Sequence, residues 1–224
     1  MNISVSEKEA IIENIVQDNV KNNNKYTYIK RMIDIFLSLI GIIVLSPVFL
    51  IITIIIKIDS KGPAFFVHKR IGKNGKEIGL YKFRTMIPDA EKMIKHFSKK
   101  QKEEFEKNFK LEYDPRITRV GRVLRKTSLD ELPQLLNILK GDLSIIGPRP
   151  VVAKELEKYG DNKEKFLSVT PGLTGKWAAN GRSNTSYEER IKLELDYVDN
   201  ISFKEDIKIF FKTLLMVVKK EGAQ

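Results

Sequence analysis

The sequence predicts an α+β fold that is mainly helical, with a membrane-embedded helix near the N-terminus, a small β-hairpin and amphipathic helices around a compact core. Three observations support this class. No charged residue occurs from Ile35 to Ile56. Two short apolar runs flank the turn Gly72-Lys73-Asn74-Gly75, a pattern typical of a hairpin. Apolar residues in Asp206–Lys220 recur every three or four positions, which indicates an amphipathic helix.

Composition narrows the class of protein. The chain has 224 residues, enough for one domain of ordinary size with a real core. Its net charge of +11 predicts an anionic partner, which is a nucleic acid, a phospholipid surface or a phosphorylated substrate. The absence of cysteine excludes disulfides and thiolate chemistry. His68 and His96 lack zinc-like spacing, so we expect no histidine-based zinc site.

The uncharged run Ile35–Ile56 has the length of a membrane helix. At about 1.5 Å per residue it matches a hydrocarbon core about 30 Å thick. It starts too far from the N-terminus for a removable signal peptide and lacks a small-residue cleavage site. Pro47, near its middle, has no N–H for the carbonyl of Ile43, which predicts a kink. The hydroxyl of Ser46 is placed to satisfy a freed carbonyl.

Both flanks of this run are basic, whereas a spanning helix usually shows a Lys/Arg bias to one side. Two interpretations follow, and the flanks support them equally. One is a re-entrant helix that breaks at Ser46-Pro47 and returns to the same face of the membrane. The other is an ordinary kinked spanning helix. The basic residues are Lys25, Lys30 and Arg31 before the run, and Lys57, Lys61, Lys69 and Arg70 after it.

The segments around the membrane run have simple patterns. Residues 1–24 form a polar extension with the spacing of a short amphipathic helix, and Asn22-Asn23-Asn24 indicates a linker. Ala64–Val67 and Glu77–Phe83 are the predicted strands of the hairpin. Residues 88–110 are charged and helical in pattern, so we expect a solvated helix there.

The C-terminal third is predicted to contain a loop and two helices. The loop opens at Thr170-Pro171-Gly172 and runs to Ser186, and residues 187–200 follow as a helix. For Asp206–Lys220 two interpretations have equal weight. Its apolar face and separate lysines suit a helix lying on an anionic membrane. The same pattern suits a helix packed on the core with solvated lysines.

The stretch from Asp114 to Pro150 contains the candidate chemistry. Arginines recur every third residue and are followed by the acidic pair Asp130-Glu131. Mg²⁺ prefers one or two carboxylates together with substrate phosphates, and arginine matches phosphate geometry. These residues therefore suit a site for phosphate and a divalent metal. The arginines are Arg116, Arg119, Arg122 and Arg125.

Structural alternatives exist for the same residues. Ser128 and Glu131 fit a capping box, which would make the acidic pair a helix start. Pro133 instead favours a helix that begins at or just after Asp130, with the carboxylates at its positive end. The arginines also fit a solvated cationic face or a nucleic-acid contact, although aromatic residues are not interleaved with them as a stacking platform needs.

Three short motifs add candidate binding residues that are weak when taken alone. They are Lys82-Phe83-Arg84, Gly147-Pro148-Arg149-Pro150 and Gly181-Arg182-Ser183. A surface charge, a rigid proline turn and a plain surface loop are the corresponding structural interpretations. The third motif also lies in a loop of glycine and small polar residues, which suits contact with a sugar nucleotide.

Several long blocks occur in the order found in a known family. Together they cover roughly residues 30–215, and the chain resembles the bacterial sugar transferases, the small monotopic polyprenyl-phosphate phosphoglycosyl transferases. The resemblance implies the small form that consists of the catalytic core. The blocks are KRMIDIFLSLIGIIVLSP, HKRIGKNGKEIGLYKFRTM, DPRITRVGRVLRKTSLDELPQLLNILKGDLSIIGPRP and PGLTGKWAANGRSNTSYEER.

The resemblance implies a reaction and roles for residues. A phosphosugar would pass from a UDP-sugar to polyprenyl (undecaprenyl) phosphate through a covalent enzyme intermediate, with release of UMP and with Mg²⁺ as cofactor. Asp130 would be the nucleophile and Glu131 would position the metal, with both carboxylates as metal ligands. Arg125 and Arg182 would lie near the phosphates and the nucleotide. Lys82, Arg84 and Arg149 are weaker assignments to substrate binding, and the other arginines of the series are expected to be solvated.

The resemblance also favours the re-entrant interpretation of the membrane helix. Residues 25–59 would form that helix, broken at Ser46-Pro47. Residues 60–224 would form a catalytic domain with interfacial helices on the cytoplasmic face of a bacterial plasma membrane. Its partners would be a UDP-sugar, polyprenyl phosphate and membrane lipid, without nucleic acid, in the first membrane step of surface glycan synthesis. The alternative is a non-catalytic scaffold that binds anionic lipid. The sugar and a possible homodimer are left open.

Overall fold

The computed structural model describes residues 5–108, 111, 113–181 and 185–219. The predicted class, α+β and mainly helical, is confirmed. The long helix α1, Val5–Asp59, includes Asn22-Asn23-Asn24, so the predicted linker there is wrong. Among the described residues, one helix is long and apolar enough to cross a membrane, Lys25–Asp59. Its most apolar stretch has a mean hydropathy of 3.1 and is only 11% buried, as expected for a surface that meets lipid.

Helix α1 continues without interruption through Ser46-Pro47, so the expected break in secondary structure is not present. The reason lies in local hydrogen bonding. Pro47 cannot donate to the carbonyl of Ile43. The hydroxyl of Ser46 donates to that same carbonyl at 2.8 Å and so supplies the missing bond. This replacement was predicted from the sequence, and it lets the helix tolerate its proline.

One face of the membrane stretch Lys25–Asp59 of α1 packs on the rest of the chain at both ends of that stretch. Near the N-terminal end, Arg31 donates to the carbonyls of Ile138 and Leu139, and the carboxylate of Asp34 accepts the backbone N–H of Ile145 at 2.9 Å. Near the C-terminal end, apolar residues of α1 join a buried cluster with the hairpin and with a helix further along the chain, Arg119–Thr127. That cluster consists of Ile52, Ile56, Ala64, Phe83 and Leu124. The helix therefore lies along the domain and does not project away from it.

The predicted hairpin is confirmed, with strands β1, Phe65–Ile71, and β2, Glu77–Phe83, paired antiparallel. Asn137 is fully buried and fastens β2 to the domain. Its amide oxygen accepts the N–H of Tyr81 at 2.9 Å, and its amide nitrogen donates to the carbonyl of Gly79 at 2.7 Å. The helix expected over 88–110 is shorter and begins later. A 3₁₀ turn, Lys92–His96, precedes helix α2, Lys99–Asn108.

Three short helices follow, and they position the acidic pair. They are α3, Arg119–Thr127, a 3₁₀ helix, Leu129–Gln134, and α4, Leu135–Lys140. Ser128 ends α3 in a left-handed conformation, with φ 56°, and its side chain does not cap the next helix. The capping-box interpretation is therefore wrong. Asp130 and Glu131 fall instead in the first turn of the 3₁₀ helix, which we call the acidic 3₁₀ helix.

Gly121 permits a close approach between α3 and the end of the hairpin. A Cβ atom at this position would lie 2.0 Å from the carbonyl oxygen of Thr85, closer than any side chain allows. The approach brings the next turn of α3 to the same residue, where Nε of Arg125 donates to Oγ1 of Thr85 at 2.9 Å. A glycine in the arginine series is thus needed to seat Arg125 beside the hairpin.

The C-terminal part packs two short parallel strands against helices. Strand β3, Ser144–Ile146, pairs with β4, Gly172–Thr174, a pair that the sequence patterns did not predict. The predicted helices at 187–200 and 206–220 are confirmed as α7, Tyr187–Asp199, and α8, Phe203–Lys219. Two small helices lie between the strands: α5, Ala153–Leu156, and α6, Lys163–Leu167.

Helix α8 combines the two interpretations offered for it. Asp206 and Ile209 are buried against the domain, where Asp206 accepts hydrogen bonds from Tyr26 and Lys30 of α1 and from Tyr197 of α7. Most of the predicted apolar face is nevertheless exposed, which suits contact with lipid. Its exposed apolar residues are Phe203, Ile207, Phe211, Leu214 and Leu215.

Candidate active site

Asp130 is a buried carboxylate in a cationic environment. Its residue is 8% exposed, because the acidic 3₁₀ helix packs against the hairpin. The pKa of Asp130 is raised to about 6, mainly by burial, and the neighbouring charge of Glu131 contributes to that rise. The cations of Lys82 and Arg125 oppose that rise. At neutral pH the carboxylate is therefore ionised and poorly hydrated, which suits a nucleophile or a metal ligand.

Glu131 and Lys82 form the ion pair that joins the hairpin to the acidic 3₁₀ helix. Nζ of Lys82 lies 2.7 Å from Oε1 of Glu131, and both side chains are mostly buried, at 16% and 23% exposure. Lys82 is thus placed beside both carboxylates. The structure brings three of the predicted site residues together here: Asp130, Glu131 and Lys82.

A small pocket opens beside this ion pair. Its charged lining comes from Lys82, Glu131, Arg70 and Arg149, and its floor includes Leu80 and Leu173. Three cations therefore face one carboxylate in the lining, an excess of positive charge that suits phosphate. The pKa of His68 responds to the same excess of positive charge. Burial and the charges of Arg70, Lys82, Arg149 and Arg125 lower the pKa of His68 to about 4, so it is neutral at physiological pH.

A hydrogen bond to the backbone of Arg149 fixes the position of this residue at the pocket. The buried carboxylate of Glu194 on α7 accepts the backbone N–H of Arg149 at 3.1 Å. The guanidinium lies 5.7 Å from the ring centroid of Trp177. Gly147, two residues earlier, closely approaches the residues just before β4, since an added Cβ would lie 2.6 Å from the carbonyl oxygen of Thr170. The Gly147-Pro148-Arg149-Pro150 motif is thus a rigid turn that also presents a cation.

Arg125 lies on the other side of the acidic pair. It is half-buried, and besides its hydrogen bond to Thr85 its charge acts on Asp130 and Asp114. Burial lowers the pKa of Arg125, and the two carboxylates oppose that change. The guanidinium stays charged, so Arg125 adds positive potential at the predicted nucleophile.

The predicted binding residue Arg84 is placed away from the acidic pair. Arg84 is buried, and its guanidinium donates to the carbonyls of Ser60, at 2.8 Å, and Lys61. These carbonyls follow the C-terminal end of α1, so Arg84 neutralises the negative end of that helix and is not brought to the acidic pair. It is not a surface charge either. Arg182 falls outside the described residues.

The other three arginines of the series lie in two environments that differ from that of Arg125. Arg119 and Arg122 are exposed on α3, as expected for solvated charge. Arg116 is buried, and its guanidinium donates to both oxygens of Asp114, at 2.8 and 2.6 Å. It also lies about 5 Å from the rings of Phe97 and Phe105. The expectation that Arg116 is solvated is therefore wrong, because it has a structural ion pair.

Arg70 is the site residue that sequence reasoning missed. It was counted only among the basic flanks of the membrane run, yet it lines the pocket and pairs with Glu155 at 3.4 Å. Burial and the charge of Arg149 lower the pKa of Arg70 to about 10. Arg70 lies three residues beyond the predicted strand Ala64–Val67, whereas β1 extends to Ile71. The sequence pattern therefore did not place Arg70 on the hairpin.

The carboxylates fit a divalent metal that needs few ligands from the protein. Among residues 5–108, 111, 113–181 and 185–219, no group of three or more His, Cys, Asp or Glu side chains could hold an ion. A complete protein cage is therefore not available there. Mg²⁺ needs only one or two carboxylates, with phosphate and water completing its octahedron. Asp130 and Glu131 supply that set, and a metal at Glu131 would have to compete with Lys82.

Comparison with known proteins identifies the family. The model of the bacterial sugar transferase family matches residues 25–220. The chain belongs to this family. It is 42% identical over 211 residues to the undecaprenyl-phosphate galactose phosphotransferase of Salmonella typhimurium, which covers 93% of this chain and 44% of that protein. It is 44% identical over 197 residues to the exopolysaccharide production protein ExoY of Sinorhizobium fredii, which covers 87% of each.

A third relative carries a different sugar in its name. The chain is 37% identical over 207 residues to the UDP-N-acetylgalactosamine-undecaprenyl-phosphate N-acetylgalactosaminephosphotransferase of Aeromonas hydrophila, over 89% of this chain and 46% of that protein. The chain thus spans less than half the length of the Salmonella and Aeromonas relatives, and most of the length of ExoY. The shared region contains the acidic pair, the hairpin and the pocket.

Proposed function

We propose that this protein transfers a phosphosugar from a UDP-sugar to polyprenyl phosphate at the membrane, with release of UMP, in a first step of surface glycan synthesis. One observation carries the proposal. A buried, ionised Asp130 lies beside the Lys82–Glu131 ion pair and a cationic pocket, on a domain that packs along an apolar helix. The names of the relatives support both substrates.

The geometry suits a two-step transfer with Asp130 as nucleophile. A carboxylate oxygen of Asp130 attacks the β-phosphorus of the UDP-sugar, and the bond from that phosphorus to the bridging oxygen breaks. The bridging oxygen and its electron pair leave with UMP. A phosphate oxygen of the polyprenyl phosphate then attacks the same phosphorus and displaces the carboxylate. Two steps on one atom let a soluble donor and a lipid acceptor use the site in turn.

The charges around Asp130 suit this chemistry. Lys82 and Arg125 keep the buried carboxylate ionised, while Arg70 and Arg149 supply fixed positive charge for the diphosphate. Such preorganised charge stabilises a phosphoryl-transfer transition state because it needs no rearrangement during the reaction. Mg²⁺ bound by Asp130 and Glu131 would neutralise the phosphate oxygens and the leaving group.

The packing of α1 supports a membrane helix with both ends on one face. Tyr26, Lys30 and Arg31 at one end and Ile52 and Ile56 at the other contact the same domain. A spanning helix would place one of these ends across the bilayer from that domain. We infer a re-entrant or in-plane helix that holds the active site at the surface, with the domain on the cytoplasmic face where nucleotide sugars occur.

The proposal is tested by incubation of the protein with a panel of UDP-sugars, Mg²⁺ and undecaprenyl phosphate, with UMP as the readout. We expect one sugar to release UMP, and Asp130→Asn to reduce the rate by at least about a thousandfold. Asp142→Asn is the matched control, since Asp142 follows α4 and is not among the charged groups that act on Asp130. A non-catalytic lipid-binding scaffold would release no UMP from any sugar and would be indifferent to Asp130.

A further inference from the structure

One face of the hairpin carries a row of three side chains with different chemistry. Phe66, His68 and Arg70 are two residues apart along β1 and so share a face. Phe66 pairs directly with Lys82 in the strand register, which places the phenyl ring and the ammonium group on that same face. The row therefore begins opposite Lys82 and extends away from it over about 13 Å between the terminal Cα atoms.

The two ends of this row lie in different surroundings. Arg70 lines the pocket with Arg149, so its end is cationic. The Phe66 end begins at the membrane helix, because the residues just before it are fixed to α1. Phe65 stacks on Phe83 at 5.2 Å, and Phe83 meets Phe49 of α1 at 5.4 Å. The row thus leads from the apolar helix to the phosphate-binding pocket.

Three consecutive apolar residues at this end are exposed, which is unusual for a strand next to a polar site. Phe65, Phe66 and Val67 are 45%, 47% and 51% exposed. Contact with lipid would account for the exposure of Phe65 and Val67, which share the face opposite to the pocket. Phe66 points to the other face, together with Lys82 and His68, whose ring centroid is 5.9 Å away. Bulk lipid alone does not account for an apolar ring among these groups.

The acceptor has the chemistry that this arrangement fits. A polyprenyl phosphate must bring an anionic head to Asp130 while its hydrocarbon chain stays in the membrane. We propose that the first isoprene units of the acceptor pass over Phe66 with the phosphate at Lys82, and that the donor diphosphate occupies the opposite end at Arg70 and Arg149. This inference rests on the proposed function and assigns an end of the site to each substrate.

The test measures the two substrate constants separately in detergent micelles with the full chain. Removal of an apolar ring from a lipid contact weakens binding by about tenfold. We therefore expect Phe66→Ser to raise the KM for undecaprenyl phosphate about tenfold and to leave the KM for the UDP-sugar unchanged. Arg70→Gln is expected to do the reverse. Val67→Ser is the matched control, because it removes an equally exposed apolar group from the other face.

Several outcomes would overturn the inference. One is an equal change in the acceptor KM for Phe66→Ser and Val67→Ser. Another is a change in the donor KM for Phe66→Ser. The third is an acceptor KM that Phe66→Ser leaves unchanged. Phe66→Leu should restore most of the acceptor KM, whereas a serine that merely disturbs folding would lower the melting temperature and both rates. The result is distinct from failure of the proposed function, which would appear as no UMP release by the unaltered protein. A photoreactive isoprenoid phosphate should label the peptide that contains Phe66.

Discussion

Nζ of Lys82 lies 2.7 Å from a carboxylate oxygen of Glu131, and this ion pair joins the hairpin to the helix that carries Asp130. Its consequence is electrostatic. Lys82 is the largest of the charges that lower the pKa of Asp130, against a burial that raises it. One lysine therefore both orients the proposed metal ligand and keeps the proposed nucleophile ionised.

Activity should fall at acidic pH. The pKa of Asp130 is raised to about 6, so its nucleophilic form is lost as the pH falls through that value. We expect kcat/KM for the UDP-sugar to drop about tenfold per pH unit below about 6. A pH profile of UMP release checks this, with circular dichroism to confirm that the fold persists. A rate independent of pH between 5 and 7 would contradict the role of Asp130.

Replacement of Lys82 should move that acidic limb. Lys82→Gln removes a positive charge that stabilises the Asp130 carboxylate, so the limb shifts to higher pH and the maximal rate falls by about a hundredfold. The measurement is the same pH profile. Lys69→Gln is the control, because Lys69 is on the same hairpin but pairs with Glu77 in solvent. Identical profiles for the two variants would show that Lys82 has no special role.

Arg84 should stabilise the membrane helix and not bind substrate. Arg84→Met keeps the aliphatic stem but leaves the carbonyls of Ser60 and Lys61 without their charged donor. We expect the free energy of unfolding to fall by about 2 kcal/mol. The KM for the UDP-sugar should not change, as measured on folded protein. A higher KM at unchanged stability would return Arg84 to the binding site.

Glu194 should make stability depend on pH. Burial raises the pKa of Glu194 from 4.5 to about 7 in the folded protein. The stabilisation from its proton is complete below about 4.5 and is lost as the pH rises through 7, at a cost on the order of 3 kcal/mol. Glu194→Gln removes this dependence, so the melting temperatures of the two proteins should diverge between pH 5 and 8. Parallel curves over this range would refute the assignment.

Both ends of the membrane helix should be accessible from the same side. The chain has no cysteine, so Lys25→Cys and Lys61→Cys can be labelled singly in inverted and right-side-out vesicles. We expect an impermeant maleimide to react with both variants from the cytoplasmic side, because both ends of the stretch Lys25–Asp59 contact one domain. Labelling from opposite sides would establish a spanning helix.

Local patterns predicted the longer elements of the fold, but neither its shortest strands nor all of its contacts. The hairpin, α7 and α8 follow from periodicity and turn residues, and Ser46 was placed beside a freed carbonyl by its distance from Pro47. The parallel pair β3 and β4 escaped prediction because each strand has three residues and its partner is far along the chain. The capping box at Ser128 was wrong because α3 ends there in a left-handed conformation.

The candidate site also combines residues that the sequence points to with contacts that only the fold creates. Asp130 and Glu131 stand out in the sequence by their position after the arginines. Their relation to Lys82 depends on how the hairpin packs, which no local pattern contains. For this reason Arg84, which was assigned to substrate binding, proved structural. Arg70, which was counted only as a basic flank, lines the pocket. Both are basic residues near the membrane run, and only the fold places one in the pocket and the other at the end of α1.

The central claim is that Asp130 takes the phosphosugar, and intact-protein mass spectrometry tests it most directly. The protein is incubated with Mg²⁺ and the UDP-sugar that supports turnover, in the absence of acceptor. We expect one phosphosugar adduct per chain, located on the peptide with Asp130, absent from Asp130→Asn and discharged by polyprenyl phosphate. Release of UMP that requires both substrates together, with no adduct on Asp130, would contradict it.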